Sequence, residues 1–120
     1  MMESYCISPG KGVFVDDLQL PRMVHAAFLR SPHPHASILG IDVKNAAASP
    51  GVVAVRTGLD LNLRSTLMQV GEPPEASVID IEVLPSGKAR MVGDPLAVVV
   101  AQDRYLAEDA LELIDASYDP

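Results

Sequence analysis

Three histidines, His25, His33 and His35, fall close together in the first third of the chain, and neutral imidazole is a common ligand for zinc and copper. His25, however, sits inside an apolar run that reads as a strand, and no fourth ligand is apparent for a tetrahedral site. A satisfied core or surface histidine is the expectation for each. Asp16-Asp17 could act as a metal or acid-base pair, but adjacent positions of an extended chain point to opposite sides, so a turn or capping role fits them better. Cys6 is the only cysteine and has no assignable base or basic setting, which makes it a free thiol rather than a nucleophile. Gly10-Lys11-Gly12 has the opening of a phosphate loop without the flanking strand, the helix or the Ser or Thr partner that such a loop requires. Gly93-Asp94-Pro95 is shorter still, and its carboxylate would repel phosphate. No nucleophile, base and stabiliser come together on this reading, so no catalysis is expected of the chain by itself.

The elements that must carry these residues are short. A chain of 120 residues with 10 Pro and 8 Gly forms one domain with many turns. Its aromatic content is 4%, so the core is aliphatic. The formal net charge of −7 and nine scattered Lys and Arg exclude a nucleic-acid or anionic-membrane surface. A single cysteine forms no internal disulfide, which suits a reducing cytoplasm. No apolar stretch is long enough for a membrane span, and the first residues lack the basic start and apolar run of a signal peptide.

Met91 to Ala101 organises the rest. Leu96 to Ala101 is apolar without interruption, bounded by Gly93-Asp94-Pro95 and Gln102-Asp103, and reads as a strand buried on both faces. A helix follows over 103–115, capped by Asp103, with Leu106, Ala107, Ala110, Leu111 and Ile114 on its apolar face. Upstream, residues 1–11 read as a tail and 12–120 as the domain. Strands are expected at Val13 to Val15, Met23 to Arg30 and Ala36 to Val43, the last two close enough in sequence to pair, with Leu39, Ile41 and Val43 on one face. A short helix over 44–49 leads to a type II turn at Pro50-Gly51 and a strand from Val52 to Thr57. Gly58 to Ser77 reads as a loop with one helical turn. Val78 to Leu84 alternates, with Ile79, Ile81 and Val83 inward, and a turn at Pro85 to Lys88 should make a hairpin with Ala89 to Val92. Ala116 to Tyr118 begins a last strand, after which Asp119-Pro120 ends the chain as if truncated.

Two blocks, Gly12-Val-Phe-Val-Asp-Asp-Leu-Gln-Leu-Pro21 and Met23-Val-His-Ala-Ala-Phe-Leu-Arg-Ser-Pro-His-Pro-His-Ala36, are followed in order by Ile41-Asp42, Pro50-Gly51-Val52 and Val92-Gly-Asp-Pro-Leu-Ala-Val-Val-Val-Ala101. This series resembles the first domain of the molybdenum-binding large subunit in the xanthine dehydrogenase, aldehyde oxidase and carbon monoxide dehydrogenase family, and it spans nearly the whole chain. Pro34, Met91 and Ser117 depart from the family's usual residues. The Asp16-Asp17-Leu18 and Arg30-Ser-Pro-His patterns are similar to the carbon monoxide dehydrogenase branch and related heterocycle and aldehyde hydroxylases. The resemblance implies an α+β fold, the α/β-hammerhead, with a mixed, mostly antiparallel sheet and two helices. It also implies a parent oxidoreductase in which molybdopterin-bound molybdenum inserts a water-derived oxygen into a C-H bond with the help of a glutamate base. Electrons would leave through iron-sulfur clusters and FAD on partner domains or subunits. The pterin-binding loops and the glutamate lie beyond this domain in the family, so no catalytic, cofactor or metal residue is carried over.

The expected role is therefore scaffolding of the downstream molybdopterin domains and the electron-transfer subunits. Arg30, Ser31, His33 and His35 on one loop, and Gly93, Asp94 and Pro95 on another, are the candidate contacts, because a guanidinium pairs well with carboxylates in bidentate fashion. A local salt bridge of Arg30 and a plain turn at Gly93 to Pro95 are the alternative for these residues. A free-standing interaction module with the same fold is the alternative for the whole chain. Self-association through faces left uncovered is a further expectation.

Overall fold

A computed structural model describes residues 12–67 and 79–120. The expected tail at 1–11 and the stretch 68–78 lie outside the described residues. Among the described residues eight strands, β1 His25–Arg30, β2 Ala36–Asp42, β3 Val52–Thr57, β4 Arg64–Leu67, β5 Ile79–Glu82, β6 Lys88–Ala89, β7 Pro95–Ala101 and β8 Asp115–Asp119, are interspersed with three short α-helices. These are α1 Lys44–Ala47, α2 Gly58–Leu61 and α3 Arg104–Leu111. The strands form three separate sheets, ordered β1-β7-β3, β6-β2-β8 and β4-β5, and every ladder is antiparallel.

The valine-rich strand is the middle of the first sheet, as its composition demands. On one face Ala97, Val99 and Ala101 meet Ala107, Ala110 and Ile114, with Ala46 and Val55 completing the cluster. Small residues here let α3 lie close to the sheet. Asp103 accepts from the backbone N of Tyr105 at 2.8 Å and so starts α3 as expected. The helix stops at Leu111. Three-residue backbone bonds from Glu112, Leu113 and Ile114 then tighten the chain into β8 rather than extending the helix to 115.

The second face of β7 is covered only in part. Leu96 is fully buried, but Val98 and Val100 are only half-buried, so the expected two-sided burial holds for one face and not the other. The apolar run reports what both faces are made of, and in this domain α3 covers one of them.

Further expectations are corrected. Val13 to Val15 is not a strand; the chain makes a 3-10 turn at Val15–Asp17, because the Asp17 carboxylate accepts from the Phe14 backbone N at 3.0 Å and closes the turn. β1 and β2 do not pair; the corner at Ser31 to His35 carries the chain from the first sheet to the second, where β2 lies between β6 and β8. The register of β2 against β8 slips between Ile38 and Gly40, which turns Leu39 out to solvent while Ile41 and Val43 stay against the core. The hairpin from β5 into β6 is absent, since β5 pairs with β4, a strand the sequence reading placed in a loop, and β6 pairs with β2. Ile81 and Val83 are exposed, because nothing among the described residues is layered on that two-stranded sheet. The turn at Ser49 to Val52 forms as expected, with Gly51 at φ +82 and Val52 N donating to the Ser49 carbonyl at 3.2 Å.

Candidate interaction surface

The two loops singled out in the sequence are brought together at one end of the first sheet. Arg30 pairs with Pro95 where the register of β1 against β7 shifts. Beyond that shift Ser31 N donates to the Asp94 carbonyl at 2.9 Å, and Gly93 N donates to the Ser31 carbonyl at 2.8 Å. The Arg30 guanidinium donates through Nη1 to the Gly93 carbonyl at 2.8 Å. Gly93 sits at φ +89, a left-handed conformation that glycine adopts without steric cost. The Asp94 side chain is buried and accepts from the backbone N of Arg90 at 2.9 Å. The Ser31 hydroxyl, also buried, accepts from His33 N at 3.1 Å and donates to the His33 carbonyl at 3.0 Å. Both loops are thus held by each other's backbones.

The histidines are not gathered. His25 lies half-buried on β1 with its side chain on the face that also carries Ala27 and Leu29. His33 meets Tyr118 of β8 edge-on, ring centroids 5.0 Å apart at 61°, and burial pushes the Tyr118 phenol above its ordinary value. His35 is exposed. Among the described residues no group of three His, Cys, Asp or Glu is placed to hold a metal ion, and no buried side-chain nitrogen or oxygen lacks a partner. The cleft between β2, α2 and the Pro85-Ser86 corner measures about 80 Å³, too small for an organic cofactor. A larger hollow of about 350 Å³ along Gly40, Ile41, Asp42, Lys44, Asp115 and Ser117 is wide open to solvent and carries two carboxylates, which would repel the phosphate of a molybdopterin, so the described residues do not fit that group. No described helix is long and apolar enough to cross a membrane.

The sequence reading expected uncovered apolar faces but did not identify which face of which sheet is left open. Ala26 and Phe28 of β1 lie opposite Val100 and Val98 of β7, and Ala54 and Arg56 of β3 lie opposite the same two valines. These side chains point away from α3, and Phe28 remains 45% exposed. The alternation of Val24, Ala26 and Phe28 against Ala27 and Leu29 was the available signal, since both sets are apolar.

The fold is shared with known proteins. Residues 9–120 match the family model described as aldehyde oxidase and xanthine dehydrogenase, a/b hammerhead domain. The carbon monoxide dehydrogenase large chain of Afipia carboxidovorans is 41% identical over 122 aligned positions, which are 99% of this chain and 14% of that protein. The nicotine 6-hydroxylase large subunit of Paenarthrobacter nicotinovorans is 35% identical over 88% of this chain and 13% of its own length. Among solved structures, a Cu,Mo-CO dehydrogenase in its carbon monoxide reduced state superposes with a TM-score of 0.86 at 38% identity, over 98% of this chain and 14% of that one. Quinoline 2-oxidoreductase from Pseudomonas putida 86 superposes at 0.82 with 36% identity, over 98% of this chain and 15% of that one. The chain spans about a seventh of these relatives. It belongs to the aldehyde oxidase and xanthine dehydrogenase a/b hammerhead domain family.

Proposed function

We propose that this chain serves as the N-terminal structural domain of a molybdenum hydroxylase large subunit, supporting catalytic domains that lie outside it. One observation carries the reading. The domain matches relatives several-fold longer than itself, and it exposes large apolar side chains where a self-sufficient protein of this size would cover them, including Phe28, Leu39, Val53, Ile81 and Val83. Molybdopterin-bound molybdenum, which supplies the hydroxylation chemistry, belongs to the downstream domains on this reading. Iron-sulfur and FAD partners and a cytoplasmic setting belong to the same proposal. The knot of Arg30, Ser31, Gly93, Asp94 and Pro95 then acts first as an internal clamp. Arg30, His33 and His35 leave donors and ring faces at the surface for a neighbouring domain.

A reading frame that continues past the codon for Pro120, into a polypeptide of the relatives' length detected by an antibody raised against this chain, is the expected result. A native product of 120 residues would instead support the free-standing interaction module.

A further inference from the structure

The face of the first sheet opposite α3 is unlike the rest of the surface. Its rows run Ala26, Val100, Ala54 and then Phe28, Val98, Arg56, with Arg30 at the end of β1 and Val24 extending the same alternation before it. The chain carries a net charge of −7, yet this face holds no carboxylate and two arginines. Neither arginine forms a salt bridge with a carboxylate among the described residues, although Arg56 is near enough to Asp60 to help lower the pKa of that carboxyl. Arg30 gives one guanidinium nitrogen to the Gly93 carbonyl and Arg56 gives one to the Val55 carbonyl, which leaves the other donors of each fork unspent. The arrangement is an apolar centre with cationic rim positions, the anatomy of an interface rather than of a solvated sheet face.

From this we infer that the β1-β7-β3 face docks against the remainder of its own large subunit, through an apolar surface carrying carboxylates opposite Arg56 and Arg30. The inference rests on the reading under Proposed function and specifies the contact. A second copy is a poorer occupant, because rows that carry arginines and no carboxylate offer a copy of themselves no anionic partner for either guanidinium. The apolar rows supply the affinity and the arginines fix which surface is accepted, since an unmatched guanidinium would be left desolvated.

Cysteine footprinting tests the contact in a Cys6→Ser background. Ala26→Cys and Arg56→Cys place thiols on the face, and Leu39→Cys places one on the second sheet as a reference. In the 120-residue chain all three should react with a maleimide at similar rates. In the complete large subunit the two on the face should slow at least about tenfold relative to the reference, the protection expected of a covered surface. Adding Arg56→Glu to Ala26→Cys should restore fast labelling in the complete subunit, and Arg56→Lys should not. Equal rates at Ala26→Cys in the chain and in the complete subunit overturn the assignment of this face. Slow labelling in the isolated chain that speeds up on dilution assigns the face to a second copy and also overturns it. Protection that is indifferent to Arg56→Glu overturns the carboxylate partner. A reading frame that stops after Pro120 overturns the function proposed above and this docking together, a failure distinct from finding the wrong face.

Discussion

The Arg30 guanidinium reaches the Gly93 carbonyl at 2.8 Å across 63 residues of sequence. That bond closes the end of the β1-β7 ladder beyond the point where its register shifts. Ser31 completes the closure, because its backbone exchanges bonds with Gly93 and Asp94 while its hydroxyl holds the following turn. Ser31→Ala should cost about 1–2 kcal/mol, the loss of a buried hydroxyl bonded on both sides. Chemical denaturation of the two proteins at neutral pH measures it. Arg30→Ala should cost less, because the bond is exposed.

The two faces of β7 should respond differently to the same truncation. Val99 is fully buried beneath α3, and Val99→Ala should cost about 2–3 kcal/mol from lost transfer and a residual cavity. Val98→Ala, one residue away on the opposite face, should cost the isolated chain less, about 1–2 kcal/mol, because its side chain is only half-buried and leaves no enclosed cavity. Equal costs would mean that the second face is covered after all.

Gly58 opens α2 and lies directly under the backbone of the Leu84-Pro85 corner. A Cβ there would collide with the Leu84 carbonyl oxygen, and backbone cannot swing aside as a side chain can. Gly58→Ala should destabilise by about 1–3 kcal/mol through overpacking, although alanine is the better helix former. A thermal scan against the wild type decides whether strain or helix propensity prevails.

Asp60 accepts from both the backbone N of Thr57 at 2.8 Å and its hydroxyl at 2.9 Å. These two bonds hold its carboxyl below the usual carboxylate range, the backbone bond contributing most. A depressed folded-state value means that the unfolded chain takes up the proton first as pH falls. The stabilisation is therefore complete above the ordinary carboxylate value and is lost as pH drops through the folded one. The difference in Tm between the wild type and Asp60→Ala should be widest near neutrality and should close in acid.

Much of the fold was legible because local chemistry and tertiary demand agreed. The Val52–Thr57 strand, the Asp103 cap and the turn at Gly51 are settled by residues adjacent in sequence. The pairings were not legible. Pro32 and Pro34 made the corner after β1 visible but not its consequence, which is that β1 and β2 enter different sheets. The slip at Leu39 and the loss of the β5-β6 hairpin are register events, decided by distant partners rather than by alternation. β4 escaped notice because Arg64-Ser65-Thr66-Leu67 carries almost no apolar pattern and pairs in a sheet of only two strands. Of the candidate contacts, the sequence singled out the two loops that meet, and it did not show that they meet each other. The open face was hidden by its own composition, since a strand apolar on both sides says nothing about which side a neighbour will cover.

Metal analysis tests the central claim most directly, run in parallel on the purified 120-residue chain and on the complete polypeptide recovered from the cells that make it. The account predicts stoichiometric molybdenum and substrate oxidation with the complete polypeptide and its partner subunits, and neither with the 120 residues alone. Stoichiometric molybdenum, zinc or copper on the short chain, or turnover by it, would contradict the assignment of a supporting domain without a site of its own.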